Sequence, residues 1–175
     1  HIRIASGINN EMVQLYWSIG DSVRTEILHD ERASYGEYIV VTLSRELTTR
    51  YGSGFSEKNL RKMVQFSELF PDKKIVATLS RQLSWSHFVA LLPLKDSLQR
   101  DFYAEMCRIE RWSVRYLREK IQGMLFERTA LSRKPEELAR QELETLRRED
   151  QMSPDLVFRD PYFLDFLGLS DTYSE

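Results

Sequence analysis

Apolar residues recur at steps of three and four along almost the whole chain, which is the spacing that buries one face of an α-helix. The clearest case is a first helix over residues 8–29, for which we expect an inward stripe of Ile8, Met12, Leu15, Tyr16, Ile19, Val23 and Ile27. No stretch shows the strict alternation typical of a half-buried strand. The pattern therefore predicts a mainly all-α protein built as a multi-helix bundle.

Cap residues indicate where these helices begin and end. Gly52 suits the left-handed end of a second helix, and Ser56 opens a third that runs over 57–70 before Pro71. Further start signals, each followed by an inward apolar stripe, stand at Ser84, Asp96 and Ser113. We expect the last of these to open one continuous helix over 114–131.

A change in composition near residue 131 suggests a second segment. The segment "SRKPEELARQELETLRRED" is highly charged, and its few large apolar side chains are Leu138, Leu143 and Leu146. A helix with such a narrow apolar stripe is typical of a connector or a partner-binding arm. We predict a helical domain over residues 1–130 that contains a helix-turn-helix unit, followed by a charged connector helix over 131–152.

The cysteine count and hydropathy indicate the cellular setting. Cys107 is the single cysteine, which excludes an internal disulfide and fits a reducing compartment. No apolar run approaches the ~18 residues of a membrane span, and no secretory signal precedes the first helix. We expect a cytoplasmic protein without a membrane partner. Because the chain starts at His1 instead of Met, we expect an upstream end that has been trimmed or that carries residues added in cloning.

Charge is distributed unevenly along the chain. Residues 1–35 carry 3 Lys and Arg against 5 Asp and Glu, residues 36–128 carry 16 against 11, and residues 129–175 carry 6 against 11. The net charges are therefore −2, +5 and −5. A basic middle between acidic ends suggests one positively charged face.

The third helix has an outward stripe suited to nucleic acid. It follows the glycine turn "YGSGFS", a connection that lets two helices cross steeply in a helix-turn-helix. The predicted nucleic-acid-binding residues on it are Lys58, Asn59, Arg61, Lys62 and Gln65. Arg and Lys contact phosphates or guanine, and Asn and Gln contact adenine. The alternative is an ordinary solvated face, which many amphipathic helices share.

A second basic concentration surrounds the start signal at Ser113. Its members are Arg108, Arg111, Arg115, Arg118 and Lys120, interleaved with Trp112 and Tyr116. Arg111, Arg115 and Arg118 are added to the predicted nucleic-acid-binding set, because aromatic residues among cations can stack on bases. The alternative for Trp112 is a core anchor whose ring N–H is satisfied internally.

The sequence offers few residues suited to catalysis. The three histidines are scattered, and His87 fits a structural or hydrogen-bonding role better than a metal ligand. Cys107 lies in a helix without a nearby histidine, so we expect a buried small residue. We predict no catalytic residue and no metal site within this chain.

Several long segments resemble one protein family. They are "NNEMVQLYWSIGDSV", "LSRELTTRYGSGFSEKNLRKMVQFSELFPD", "LSWSHFVALLPLKDSLQRDFY", "RWSVRYLREKIQGMLFERTALS" and "FRDPYFLDFLGLSDTYSE". Together they resemble the amino-terminal half of the bacterial YhcG family. The resemblance implies a helical domain of helix-turn-helix or winged-helix type that precedes a nuclease domain of the PD-(D/E)xK class. A shorter similarity to ParB-type DNA-binding domains covers the segment with Arg111, Arg115 and Arg118.

The resemblance also implies where catalysis would lie. In the family the nuclease domain begins near "DPYFLDFLGL", so residues 153–175 would be its start. The carboxylates and lysine that would hold a divalent metal come later than this segment. We therefore expect no cofactor in these residues, a divalent metal in the nuclease domain, and nuclease activity in the parent protein rather than in this chain.

Two hypotheses for function follow. The first is a module that binds nucleic acid, double-stranded DNA in particular, and positions it for the nuclease domain. The second is a protein-interaction or oligomerisation module of the same nuclease. The second rests on the acidic segment Glu136 to Asp150 and on the apolar tail Tyr162 to Leu169, which would form a homo-oligomer through the C-terminal segment.

Overall fold

The computed structural model describes residues 2–29, 33–129 and 131–149. Its α-helices are α1 (Ile2–His29), α2 (Ala33–Tyr51), α3 (Glu57–Leu69), α4 (Lys73–Leu79), α5 (Trp85–Leu91), α6 (Ser97–Glu110), α7 (Val114–Gln122), α8 (Leu125–Arg128) and α9 (Glu136–Glu149). Short 3-10 turns cover Ser53–Phe55 and Leu131–Arg133. No strand occurs within the described ranges, so the all-α prediction is confirmed and a winged helix, which needs strands, is not.

The chain divides into two compact units, of which the first covers residues 1–95. In this unit α1 and α3 make the most extensive packing, and α2 completes a core of Tyr16, Val23, Val40, Leu60 and Met63. Trp17 of α1 is buried as well, and its Nε1–H donates to the carbonyl oxygen of Phe70 at 2.7 Å. Trp17 is therefore a packing residue of α1.

The predicted inner stripe of α1 is wrong at its amino-terminal end. Ile8, Met12 and Leu15 are exposed, whereas Val13 and Trp17, which the stripe omitted, are buried. The reason is a glycine: a Cβ on Gly20 would lie 1.9 Å from the carbonyl oxygen of Met63. The side of α1 that carries Gly20 is therefore the one that packs closely on α3. The side chain of Ile27 lies outside the described residues.

The second unit begins at Asp96, which caps α6 by accepting the N–H of Leu98 at 2.9 Å. Tyr103 is fully buried, and its hydroxyl accepts the N–H of Phe126 at 3.1 Å. Burial raises the pKa of this phenol to about 12. Helix α6 therefore lies at the centre of the described part of this unit. Its Tyr103 holds the start of α8 in the core.

The continuous helix predicted over 114–131 is wrong. Ser113 does cap α7, since its hydroxyl accepts the N–H of Tyr116 at 3.2 Å. The helix then ends at Gln122, because Gly123 leaves helical geometry and Met124 has a φ of 53°, in the left-handed region. A left-handed residue at this point turns the chain and starts the short helix α8.

Helix α9 packs against α6 rather than standing alone. Ala139, Leu143 and Leu146 are buried, and the guanidinium of Arg147 donates to the buried carboxylate of Glu105 at 2.6 Å. Leu138, which was expected on the inner stripe, is exposed. The domain boundaries predicted at residues 130 and 152 stay a prediction, and the segment 153–175 lies outside the described residues.

Candidate nucleic-acid interface

The connection between α2 and α3 fixes how α3 is presented. Gly52 has a φ of 95°, a conformation that side chains disfavour, and its N–H donates to the carbonyl oxygen of Thr48 at 2.9 Å. The turn then passes through Ser53–Phe55 to Ser56, whose hydroxyl accepts the N–H of Asn59 at 3.4 Å. Both predicted signals, the glycine end and the serine start, are confirmed.

The inner face of α3 leaves its basic residues on the outer side. Leu60, Met63, Phe66 and Ser67 are buried. Phe66 lies three residues after Met63, which is the spacing of one buried face of a helix. Because this face is buried in the core, α3 cannot rotate about its axis. Its opposite face therefore stays on the surface of the protein.

Lys58 and Lys62 lie on that outer side. The side chain of Lys58 is exposed and that of Lys62 is partly exposed. Neither ammonium has an ion pair with any residue that the structure describes. Their charges are therefore not neutralised within the described part of the chain and are available to an anionic partner.

Arg61 lies between them but is already paired. Its Nη1 donates to Oε1 of Glu37 at 2.8 Å, and its Nη2 donates to Oε2 at 2.7 Å. Hydrogen bonding from this guanidinium, followed by its charge, lowers the pKa of the Glu37 carboxyl. Glu57 adds a weaker ion pair at 3.9 Å. The positive charge of Arg61 is thus largely offset before any ligand arrives.

The two amide side chains of the predicted set have internal partners. Nδ2 of Asn59 donates to the carbonyl oxygen of Gly54 at 2.6 Å, and its Oδ1 accepts Nε1–H of Trp85 at 3.0 Å. Nε2 of Gln65 donates to the carbonyl oxygen of Leu92 over a longer distance, 3.4 Å. Asn59 therefore holds the turn together, whereas Gln65 is exposed and only weakly engaged.

A groove of about 550 Å³ lies beside the amino end of α3. Its lining from α2 includes Arg45, Thr48 and Thr49, and its lining from the start of α3 includes Ser56 and Lys58. Arg45 is exposed and was missed by the sequence analysis. The signal was its spacing of three and four from Thr48 and Thr49, which puts a cation and two hydroxyls on one side of α2.

The second basic concentration separates into two parts. Arg111, Arg115 and Arg118 are exposed, with Arg115 in a surface pair with Glu119 at 3.1 Å. Arg108, in contrast, donates to the buried carboxylate of Glu105 at 2.7 Å. The remaining cation, Lys120, is buried with its ammonium 4.6 Å from the centre of the Tyr116 ring.

Trp112 of the second unit and His87 of the first have structural roles. Trp112 is buried and meets the ring of Tyr116 edge to face, with centroids 5.2 Å apart. His87 is buried, and its Nδ1 accepts the N–H of Ser84 at the start of α5. These contacts confirm the core role considered for Trp112 and the hydrogen-bonding role predicted for His87.

The described ranges contain neither a cluster of metal ligands nor a helix that could span a membrane. Over residues 2–29, 33–129 and 131–149, His, Cys, Asp and Glu side chains form no group of three or more that could hold a metal ion. None of the helices described there is both long and apolar enough to cross a bilayer.

Comparison with known proteins gives the family. A relative from Escherichia coli strain K12, named "Putative nuclease YhcG", is 34% identical to this chain over 96% of the chain's length. The match covers 52% of the relative, so the chain spans about half of that protein. No solved structure matches the chain. The family model described as the DUF1016 N-terminal domain matches residues 1–128. The predicted resemblance of the chain to the YhcG family is thus confirmed, and the chain belongs to the DUF1016 N-terminal domain family.

Proposed function

We propose that this chain is a nucleic-acid-binding module that contacts the phosphate backbone of double-stranded DNA through α3 and the groove beside it. The observation that carries the proposal is the pair Lys58 and Lys62, whose ammonium groups lack ion pairs among the described residues on a helix with a fixed inner face. The name of the E. coli relative, "Putative nuclease YhcG", supports the same function.

The side chains favour contact with phosphates over reading of bases. Lysine ammonium groups bind phosphates as point charges, and hydroxyls such as those of Thr48 and Thr49 can donate to phosphate oxygens. Base reading usually needs Arg, Asn or Gln in a bidentate geometry. Arg61 and Asn59 are held by Glu37, Gly54 and Trp85, so we expect little base specificity from α3.

The second unit would add phosphate contacts of its own. Arg111, Arg115 and Arg118 are exposed, and the surface pair of Arg115 with Glu119 costs little to exchange for a phosphate. We propose that these three residues bind the backbone independently of α3. Their contribution would appear as a further loss of affinity when they are neutralised together.

The biological role proposed for the module is to position substrate. In this proposal the phosphodiester is cleaved by a PD-(D/E)xK nuclease domain of the parent protein, where a divalent metal would activate water and stabilise charge. The present residues would bind and orient the duplex, and no catalytic step is assigned to them. Self-association through residues 153–175 stays a prediction, since that segment lies outside the described residues.

Fluorescence anisotropy with labelled duplex DNA, single-stranded DNA and RNA of equal length tests the proposal. We expect the duplex to bind most tightly, with affinity that falls steeply as salt rises from about 0.05 to 0.2 M. The double variant Lys58→Glu, Lys62→Glu should lose at least about tenfold in affinity, because two phosphate contacts become repulsive.

A matched variant separates local contact from overall charge. Lys74→Glu, Arg81→Glu makes the same change in net charge at two other exposed positions of the first unit. If both double variants lose affinity equally, the net charge of the protein rather than contact with α3 explains binding. If no nucleic acid binds even at low salt, the module does not contact nucleic acid and the proposal fails.

A further inference from the structure

An exposed apolar stripe runs along the outer side of α1. Ile8 is 56% exposed, Met12 is 41% exposed and Leu15 is 48% exposed. Steps of four and three separate these residues, and the same steps continue to Ile19, Ser22 and Glu26, so all six lie on one side of the helix. Three adjacent large apolar side chains in water are more than a scattered surface position would explain.

The stripe leads into a groove between α1 and α2. This groove has a volume of about 320 Å³, and its apolar lining includes Val23 from α1 and Tyr38, Ile39 and Leu43 from α2. Tyr38 is 66% exposed at its edge. The stripe and the groove together span the 19 residues from Ile8 to Glu26, a length of about 27 Å at the helical rise.

The exposed charges that the structure describes around this surface have one sign. Among the exposed residues of α1 from Gly7 to Glu26, the charged ones are Glu11 and Glu26. Arg24 faces elsewhere and donates to Asp21 at 2.7 Å. On the α2 side, Glu46 lines the groove. An apolar floor is thus flanked by carboxylates, which is the opposite of the lysine-bearing surface at α3.

From this arrangement we infer that α1 and the α1–α2 groove form a docking surface for an amphipathic helix of another protein, one whose apolar stripe is flanked by Lys or Arg. Apolar residues at successive turns of the partner would contact Ile8, Met12 and Leu15 and enter the groove at Leu43. Its basic flanks would face Glu11, Glu26 and Glu46. This is the helix-in-groove mode of recognition with complementary charge.

The same charges argue against two other occupants. A second copy of this chain would bring carboxylates of α1 towards carboxylates of its partner, and like charges at an interface are unfavourable. The chain's own tail, residues 153–175, carries five Asp and Glu against one Arg, so it would meet the same repulsion. A basic partner helix is the occupant for which both the apolar floor and the rim are complementary.

Two synthetic helices of about 21 residues, or three heptads, provide the probe. Both carry Leu at the apolar positions, and the flanking positions are Lys in one and Glu in the other. Titrated against the full 175-residue chain, the Lys-flanked helix should bind at least about tenfold more tightly than the Glu-flanked helix. Met12→Ser with Leu15→Ser should weaken its binding about tenfold, and circular dichroism should show the fold unchanged, since both residues are exposed.

The role of the carboxylates beside the groove is tested by Glu26→Gln with Glu46→Gln. This double variant should reduce the preference for the Lys-flanked helix to below about threefold. The control Glu68→Gln with Glu144→Gln removes the same charge at other exposed positions and should keep the preference. Equal binding of the two helices, or binding that the serine variant does not weaken, would overturn the inference. A dimer of the chain that the serine variant abolishes would also overturn it. Binding of a 153–175 peptide that the same variant abolishes would do so too.

Discussion

Glu37 and Arg61 join α2 to α3 through two parallel hydrogen bonds, of 2.8 Å and 2.7 Å. The pair places a carboxylate next to the outer face of the helix that we propose contacts DNA. Lys58 and Lys62 remain as the cations of this face that lack an ion pair among the described residues. The balance of charge on α3 is therefore set by a residue of the preceding helix.

Removal of the carboxylate at position 37 should strengthen DNA binding. In Glu37→Gln the guanidinium of Arg61 is no longer offset, so affinity for duplex DNA at low salt should rise by about two- to fivefold. Glu11→Gln removes the same charge from the outer side of α1 and should leave affinity within error. Anisotropy titrations measure both, and an unchanged affinity of Glu37→Gln would show that Arg61 does not approach the DNA.

The close approach of α1 and α3 depends on Gly20. A Cβ there would lie 1.9 Å from the carbonyl oxygen of Met63, so Gly20→Ala should lower the free energy of unfolding by more than about 2 kcal/mol. Gly7→Ala is the control on the same helix, because nothing lies within 4 Å of its added Cβ. It should stabilise the protein by about 0.5–1 kcal/mol, as alanine favours helix. Urea unfolding measures both, and similar values would contradict the packing.

The attachment of α9 to α6 depends on a buried ion pair. The carboxylate of Glu105 is fully buried and accepts from Arg147 and Arg108. Arg147→Ala leaves that carboxylate with one cation fewer, and the free energy of unfolding should fall by about 3 kcal/mol. Arg148→Ala removes an exposed charge one residue later and should change it by less than about 0.5 kcal/mol. Equal stability of the two variants would indicate a helix that is not held on α6.

Cys107 should be unreactive in the folded protein. Burial raises the pKa of its thiol to about 12, so the reactive thiolate is scarce at pH 8. Labelling by a thiol reagent at that pH should be at least about tenfold slower in buffer than in denaturing urea. Equal rates in the two solvents would mean that the α6 core opens readily.

Much of the fold could be predicted because helix signals are local. The caps at Ser56, Asp96 and Ser113 each use a side chain within three residues of the N–H that it accepts. The inner stripe of α1 could not be predicted in the same way. That helix carries apolar residues on two sides, and only the close approach of Met63 at Gly20 decides which side is buried.

The position of the candidate site could be predicted from the sequence, but the pairing of its side chains could not. Spacing on α3 places Lys58, Arg61 and Lys62 on one face, and the structure keeps them there. Their partners come from elsewhere in the chain: Glu37 lies 24 residues before Arg61, and Trp85 lies 26 residues after Asn59. No local pattern reports such contacts, so the difference between an available lysine and a paired arginine needed the structure.

The most direct test of the account is the salt dependence of duplex DNA binding in Lys58→Gln, Lys62→Gln. Each phosphate contact contributes a slope of about 0.9 to the plot of log affinity against log salt, so loss of two contacts should reduce its magnitude by about 2 relative to the parent chain. Lys74→Gln, Arg81→Gln should leave the slope unchanged. An unchanged slope in the Lys58 and Lys62 variant would contradict the claim that α3 contacts the DNA backbone.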